Sequence, residues 1–212
     1  MRIPKHIGVI PDGNRRWAMT RRLAKEEGYE NGLTPGLSLY RLCRDNGVQE
    51  ISYYGFTTDN TKRAKSQTKA FSEACVEAAR LLVEEDASLL VTGNTCSPLF
   101  PQELFSFTQS RRHGSNGIKV NLLINYSWQW DLSGIAESTD DNGVHARLRS
   151  NNVSRIDLIM RWGGRRRLSG FLPVQSVYSD FYVIDDYWPD FQSKHFFEAL
   201  DWFDKQDITL GG

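Results

Sequence analysis

The sequence is poor in the residues that build disulfide-bonded and zinc-binding proteins. It has three cysteines, Cys43, Cys75 and Cys96, no two of which are close in the chain, and four histidines, none at a zinc-ligand spacing. The pattern therefore excludes a disulfide framework and a structural zinc site. Thiols without a neighbouring partner suit a reducing, cytoplasmic environment.

Long apolar runs and an excess of one charge are also missing. No apolar stretch approaches the ~18–20 residues needed to cross a bilayer, and the first six residues lack the apolar region of a signal peptide. Lysine plus arginine and aspartate plus glutamate each number 26, so the formal net charge is zero. We expect no membrane span and no nucleic-acid binding through bulk positive charge.

Three common catalytic and nucleotide-binding motifs are absent. No Gly-x-Gly-x-x-Gly follows the first apolar run, and no Gly-Lys-Ser/Thr or Gly-x-Ser-x-Gly occurs in the chain. Dinucleotide binding, P-loop nucleotide binding and a serine-hydrolase elbow are therefore disfavoured.

Apolar segments of strand length alternate with helical patterns along the 212 residues. The strand candidates are residues 7–10, 50–56, 88–92, 119–126, 156–161 and, more weakly, 181–184. Most are rich in Val, Ile, Leu or Tyr without strict alternation, as is typical of strands buried on both faces. Helical patterns include residues 66–86, and polar loops are predicted at residues 94–101, 110–117 and 139–143. We predict one α/β domain over residues 1–212, with a central, mostly parallel β-sheet of about six strands surrounded by helices.

The most informative stretch is Asp12-Gly13-Asn14-Arg15-Arg16-Trp17, called here the Asp12 motif. It joins the first strand to a helix, at the kind of junction where open α/β sheets bind anions. An aspartate among arginines suits a divalent cation placed between the carboxylate and a phosphate. The alternative is a helix start capped by the aspartate.

A second cluster, residues 161–170, directly follows a predicted strand and is called here the arginine loop. It places four arginines within seven residues around a Gly-Gly turn. Arginine binds phosphate bidentately, so this loop is a candidate anion site. The alternative is a solvated basic loop.

Two further features are weaker. Residues 54–60, called here the Tyr54 segment, bring hydroxyls and an amide to the end of the second strand. These groups are suited to positioning a substrate, and the alternative is an ordinary strand-to-helix turn. Asp180 follows a helical pattern at residues 172–179 and is either a second carboxylate for a metal or a surface acid.

In this order, the clusters resemble the cis-prenyltransferase family, the relatives of undecaprenyl diphosphate synthase. The resemblance rests on residues 6–14 and 16–18, the Tyr54 segment, Asn125-Tyr126 with Trp130-Asp131, residues 157–169 in part, and residues 188–191. It implies a parallel sheet within helices, a homodimer, and the joining of C5 units through Mg²⁺-bound allylic diphosphates.

The resemblance also implies roles for individual residues. Asp12 and Asp180 match metal-binding acids. Asp12, Asn60 and Thr57 belong to the reacting region. The proton is accepted either by a diphosphate oxygen or by a hydroxyl relay through Thr57 or Thr61. The candidate substrate-binding residues are Gly13, Asn14, Arg15, Arg16, Trp17, Lys25, Tyr29, Phe56, Thr58, Thr61, Arg63, Phe71, Arg161, Arg167 and Ser169.

Several positions depart from the family pattern. Arg15 replaces a glycine, Tyr29 a histidine and Thr61 an aromatic residue, Arg165-Arg166 replace an acid-histidine pair, and an arginine-rich C-terminal motif is reduced to residues 209–212. Phe71 lies on the helix that is expected to line the product tunnel, and Trp128 is expected to intrude there. Because two bulky rings leave room for few isoprene units, we predict a short product of C10 to C15.

This pattern resembles the lavandulyl and cyclolavandulyl diphosphate synthases, small bacterial relatives that couple two dimethylallyl diphosphates head-to-middle, sometimes with ring closure. Two alternatives remain. One is regular cis condensation with isopentenyl diphosphate to a short chain. The other is a non-catalytic partner subunit of a cis-prenyltransferase.

Overall fold

The computed structural model describes residues 1–108, 117–137 and 143–207. The polar loops predicted at residues 110–117 and 139–143, apart from Gly117 and Gly143, and the C-terminal residues 209–212 lie outside the described residues. Within the described ranges, no helix is both long and apolar enough to cross a membrane.

Six strands form one sheet, as the alternation of apolar segments predicts. They are β1 (His6–Ile10), β2 (Glu50–Tyr54), β3 (Ser88–Thr92), β4 (Lys119–Leu123), β5 (Leu158–Arg161) and β6 (Asp180–Val183). The order is β3-β4-β2-β1-β5-β6, and each neighbouring pair is parallel. The predicted sheet is therefore confirmed, although several apolar segments continue past the ends of their strands.

In the part of the chain that the structure describes, six α-helices connect or cover the strands. They are α1 (Asn14–Thr20), α2 (Glu27–Glu30), α3 (Leu33–Asp45), α4 (Lys65–Glu84), α5 (Trp128–Glu137) and α6 (Ser193–Asp204). The helix predicted at residues 172–179 is wrong. Leu172 has a φ of 36° and precedes Pro173, a position at which the helical conformation is disfavoured. The segment instead forms separate turns, closed by Ser176 N–H to Leu172 and Ser179 N–H to Ser176.

The sheet is buried on both faces, which explains the lack of strict alternation in its strands. One face packs against α3, α4 and α6 through residues such as Leu39, Leu82 and Leu200. The other face packs Ile159 and Leu123 beneath Phe171 and its neighbours. Both layers hold the strands rigidly and fix where their carboxyl ends point.

Strand order places the Asp12 motif and the arginine loop side by side. β1 lies between β2 and β5, and Ile10 at the end of β1 pairs with Arg161 at the end of β5. The chain leaves β1 toward β2 and leaves β5 toward β6, so the connections diverge at this point. Ligands of open α/β sheets bind at such a divergence, beyond the carboxyl ends of the strands.

Candidate active site

Asp12 contacts two arginines and does not cap α1. Its Oδ2 atom accepts a hydrogen bond of 2.9 Å from Nη2 of Arg161, and its Oδ1 atom lies 3.3 Å from Nη2 of Arg16. The N-cap position belongs to Gly13, whose φ of 106° favours glycine, and no side chain caps the helix. The cap interpretation of Asp12 is therefore wrong, and its carboxylate faces a group of cations.

Arg161 joins the Asp12 motif to the arginine loop. Its side chain is only 4% exposed. Nη1 donates to Oγ of Ser169 at 2.9 Å and also to the backbone carbonyl of Arg167, while Nη2 donates to Asp12. One guanidinium thus holds together the ends of β1 and β5, and the interpretation of the whole loop as solvated does not apply to Arg161.

These two loops border an open cleft of about 590 Å³. Its charged lining is strongly cationic, with seven basic side chains against two carboxylates: Arg15, Arg16, Lys25, Arg63, Arg161, Arg165 and Arg167 against Asp12 and Asp59. Gly13, Asn14 and Ser169 also line it. A chain with zero net charge therefore concentrates positive charge at one place, which favours anionic ligands.

The Tyr54 segment contributes one wall of the cleft through some of its polar residues. Thr57 and Asn60 line the cleft, and the Asn60 side-chain oxygen accepts a 3.0 Å hydrogen bond from the Thr57 backbone N–H. Thr58 and Thr61 are not part of the lining, and the Thr61 hydroxyl donates to the Thr58 carbonyl at 2.6 Å. Of the two threonines considered for proton relay, the structure brings only Thr57 to the cleft.

An aromatic pair separates the charged cleft from an apolar cavity. The rings of Tyr29 on α2 and Phe71 on α4 are stacked, with centroids 4.5 Å apart and planes 5° from parallel. Nη1 of Arg63 donates to the Tyr29 hydroxyl at 2.9 Å. Burial lowers the pKa of Arg63, as does Arg15, whereas the Tyr29 contact raises it. Tyr29 and Phe71 line both spaces, as do Pro11, Asn14 and Gly55, so the aromatic pair forms part of the boundary between them.

The apolar cavity lies between α3, α4 and the sheet and measures about 90 Å³. Its lining is almost entirely hydrocarbon, including Leu37, Ala74 and Ala78. Phe71 on α4 borders this cavity, but Trp128 does not. Trp128 is 44% exposed on α5, and its indole lies against Gly170 of the arginine loop. The prediction that Trp128 narrows the cavity is therefore wrong.

Two other predicted substrate-binding residues belong to the packing around the site. Trp17 is 8% exposed and donates from Nε1 to Asp190 at 2.8 Å, which fixes α1 to the segment after β6. Phe56 is fully buried, and its ring meets Phe71 edge-on at 5.6 Å. Neither lines the cleft or the cavity. Trp17 belongs to the Asp12 motif and Phe56 to the Tyr54 segment, and sequence alone does not show whether such a ring points into the cleft or into the core.

Asp180 lies at the other end of the sheet. It begins β6 and pairs with Leu158, whereas Arg161 pairs with Val183 at the carboxyl end of the strand. At ~3.3 Å per residue, three residues separate it from that end by about 10 Å. Its carboxylate is 3.8 Å from Arg2, and burial raises its pKa. Within one chain, the prediction that Asp180 shares a metal with Asp12 is therefore wrong.

The cleft fits a metal ion whose ligands come mainly from a bound diphosphate and from water. Among the described residues, no group of three or more His, Cys, Asp or Glu side chains converges to hold a metal ion. Mg²⁺, however, is commonly bound through one or two carboxylates with waters and substrate phosphate oxygens. Asp12 is one-third exposed and faces the cleft, so this single carboxylate suits a Mg²⁺–diphosphate but not a metal bound by protein alone.

Three cleft residues with polar or charged side chains are not among the site residues predicted from the sequence. Arg165 lines the cleft beside Arg167, Asp59 lies between Thr57 and Asn60, and Tyr54 ends β2. The position of Tyr54 at the carboxyl end of a predicted strand could have identified it as a cleft residue, because the carboxyl ends of parallel strands meet at one edge of the sheet. Its contact with the arginine loop depends on packing, so the sequence did not reveal it.

Known prenyltransferases are similar to this chain over nearly its whole length. The prenyltransferase family model described as undecaprenyl diphosphate synthase matches residues 10–211. An isoprenyl transferase of Neisseria meningitidis serogroup B is 29% identical over 225 residues, covering 99% of this chain and 90% of that protein. A ditrans,polycis-undecaprenyl-diphosphate synthase of Photorhabdus laumondii is 27% identical over 235 residues, with 99% and 90% covered.

A solved structure also has a similar fold. Lavandulyl diphosphate synthase from Lavandula x intermedia, in complex with dimethylallyl diphosphate, matches with a TM-score of 0.86 and 21% identity. The match covers 99% of this chain and 98% of that one. At this identity the likeness shows the fold alone.

Proposed function

The chain belongs to the undecaprenyl diphosphate synthase family of prenyltransferases, and on that premise we propose that it is a short-chain prenyl diphosphate synthase. We propose further that it couples two dimethylallyl diphosphates head-to-middle to a branched C10 diphosphate of the lavandulyl or cyclolavandulyl type. The observation that carries the proposal is the pairing of the Asp12 motif with the arginine loop through Arg161, beside a small apolar cavity lined by Tyr29 and Phe71.

The charge distribution supports two diphosphates in one cleft. Arg16 and Asp12 belong to the Asp12 motif, whereas Arg167 and Ser169 belong to the arginine loop, and each group lines the same space. Arg15, where the family has a glycine, adds a cation that also hydrogen-bonds to Gln67 on α4 at 3.3 Å. The surplus of positive charge offsets the repulsion between two diphosphates brought close together.

The proposed reaction follows from this arrangement. The allylic C–O bond of the first substrate breaks, and its electron pair leaves with the diphosphate, whose developing charge Arg16 and its neighbours stabilise. The double bond of the second substrate, held by the arginine loop, attacks the allylic carbon. A proton is then lost to an oxygen of the departed diphosphate, beside Thr57. Mg²⁺ bound at Asp12 would stabilise charge on the leaving group.

The experiment that tests the proposal supplies dimethylallyl diphosphate alone. With Mg²⁺, the protein is expected to form a branched C10 diphosphate, because both sites accept the same substrate. Product identity is checked by mass spectrometry and NMR after dephosphorylation. A parallel incubation adds isopentenyl diphosphate. Formation of C10 product only in the second incubation would contradict the irregular coupling and favour regular cis condensation.

Regular condensation is the second candidate, and the sequence comparisons favour it. Isoprenyl transferases match 99% of this chain at 29% identity, and their names describe no irregular coupling. The expected product is then a linear C10 to C15 diphosphate. A third candidate, a non-catalytic partner subunit, is weakened because Asp12, Arg161 and Arg167 are all present and line one cleft. We also propose a homodimer, which sedimentation or light scattering measures directly.

Phe71 is expected to limit product length. Phe71→Ala removes the ring that stacks on Tyr29, which joins the cavity to the cleft. In an incubation with dimethylallyl and isopentenyl diphosphates, where regular condensation extends the chain, the variant is expected to make products at least one C5 unit longer than the wild type, as chromatography of the dephosphorylated products would show. Phe197→Ala on α6, where the ring is 43% exposed, is the matched control. An unchanged product length in Phe71→Ala would assign the limit to another residue.

A further inference from the structure

The hydroxyl of Tyr54 reaches from β2 into the arginine loop. It donates a 2.9 Å hydrogen bond to the backbone carbonyl of Ser169. The ring is packed against Phe171 at 5.2 Å and against Tyr126 at 6.2 Å, and both of those residues are fully buried. The hydroxyl is therefore held at a fixed place, beneath a loop that is otherwise mostly exposed.

Ser169 has an unusual backbone conformation. The N–H of Phe171 donates to the carbonyl of Leu168 at 3.2 Å, and the two central residues, Ser169 and Gly170, have φ values of 55° and 79°. Positive φ at both central positions is the signature of a type I′ turn. A residue other than glycine is disfavoured in this region and persists only when surrounding contacts hold it.

This turn presents Ser169 to the diphosphate cleft. Its Oγ accepts the 2.9 Å hydrogen bond from Arg161, the same side chain that contacts Asp12. A turn that relaxed would move Ser169 away from Arg161, and Nη1 of Arg161 would keep only its hydrogen bond to the Arg167 carbonyl. The contact between Ser169 and Arg161 therefore depends on the conformation of the turn.

From this geometry we propose that Tyr54 is a positioning residue for the second diphosphate, because its hydroxyl holds the strained turn that places Ser169 against Arg161. The inference rests on the proposed function, which assigns the second diphosphate to the arginine loop. Tyr54 acts through Ser169 and takes no part in bond making. Burial, with a smaller effect of Asp59, raises the pKa of Tyr54, so its hydroxyl stays protonated and remains a donor at neutral pH.

The test uses inorganic diphosphate as the probe. The full-length protein is titrated calorimetrically in metal-free buffer, and the binding phase that Arg161→Ala removes is assigned to the arginine loop. Tyr54→Phe is expected to weaken that phase about 3- to 10-fold, the effect of one hydrogen bond, and to leave any other phase unchanged. Tyr40→Phe is the matched control: Tyr40 is a buried tyrosine whose hydroxyl also donates to a backbone carbonyl, that of Glu85, at 3.3 Å.

Each outcome decides between distinct explanations. Urea unfolding is expected to show similar losses of stability in Tyr54→Phe and Tyr40→Phe, whereas only Tyr54→Phe weakens the Arg161-dependent phase. Unchanged binding in Tyr54→Phe, or equal weakening of every phase, would overturn the positioning role. If no phase depends on Arg161, the second diphosphate site itself fails, and this inference fails with it for a separately identifiable reason.

Discussion

An Asp12→Asn variant is expected to keep its fold and to lose turnover by about 10³-fold or more. The carboxylate is the one acidic group of the Asp12 motif, and it faces the cleft between Arg161 and Arg16. Asparagine preserves the shape and one acceptor oxygen but carries no charge with which to hold Mg²⁺ against a diphosphate. Steady-state turnover with saturating Mg²⁺ measures the effect.

Binding without metal distinguishes a metal-holding role for Asp12 from a structural one. Removing a negative charge from a strongly cationic cleft is expected to leave metal-free binding of inorganic diphosphate equal to the wild type or tighter. The free energy of unfolding is expected to fall by only about 1 kcal/mol, since the aspartate is partly exposed. Near-wild-type turnover in Asp12→Asn would refute the metal role.

The convergence of the Asp12 motif and the arginine loop could be predicted from sequence because it follows from parallel strands. Apolar segments ending at Ile10 and Arg161 identify two strand ends, and parallel strands bring such ends to one edge of the sheet. The cleft confirms that the Asp12 motif and the arginine loop meet. The same rule places Asp180 away from this edge of the sheet. Asp180 begins its strand, whereas Asp12 follows the carboxyl end of its strand.

The partners within the site could not be predicted in the same way. The stack of Tyr29 on Phe71 joins α2 to α4, and the bond from Tyr54 to Ser169 joins β2 to the loop after β5. Both contacts depend on helix placement and on loop conformation, which short-range patterns do not encode. The prediction that Trp128 narrows the cavity was wrong for this reason. The sequence shows a large ring near a motif but does not show on which side of the sheet that ring lies.

Arg161→Ala is expected to have the largest effect of any arginine substitution in the cleft. Each charge-assisted hydrogen bond contributes about 1.5–3 kcal/mol, which corresponds to about 10- to 150-fold in Kd. Arg161 is almost fully buried and donates to Ser169, to the Arg167 carbonyl and to Asp12, so its loss also frees both loops. Arg167→Ala removes only an exposed side chain and is expected to fall at the lower end of that range.

Substitution by lysine separates charge from geometry. Arg161→Lys keeps the positive charge, but an ammonium group cannot span Ser169 and Asp12 as the planar guanidinium does. The KM for the second substrate is therefore expected to stay nearly as high in Arg161→Lys as in Arg161→Ala. Arg155→Ala serves as the neutral control, because Arg155 is an exposed arginine that stacks on Tyr178. Full recovery in Arg161→Lys would show that the loop attracts diphosphate by charge alone. Unchanged KM and kcat in both Arg161→Ala and Arg167→Ala would remove the second diphosphate from the arginine loop altogether.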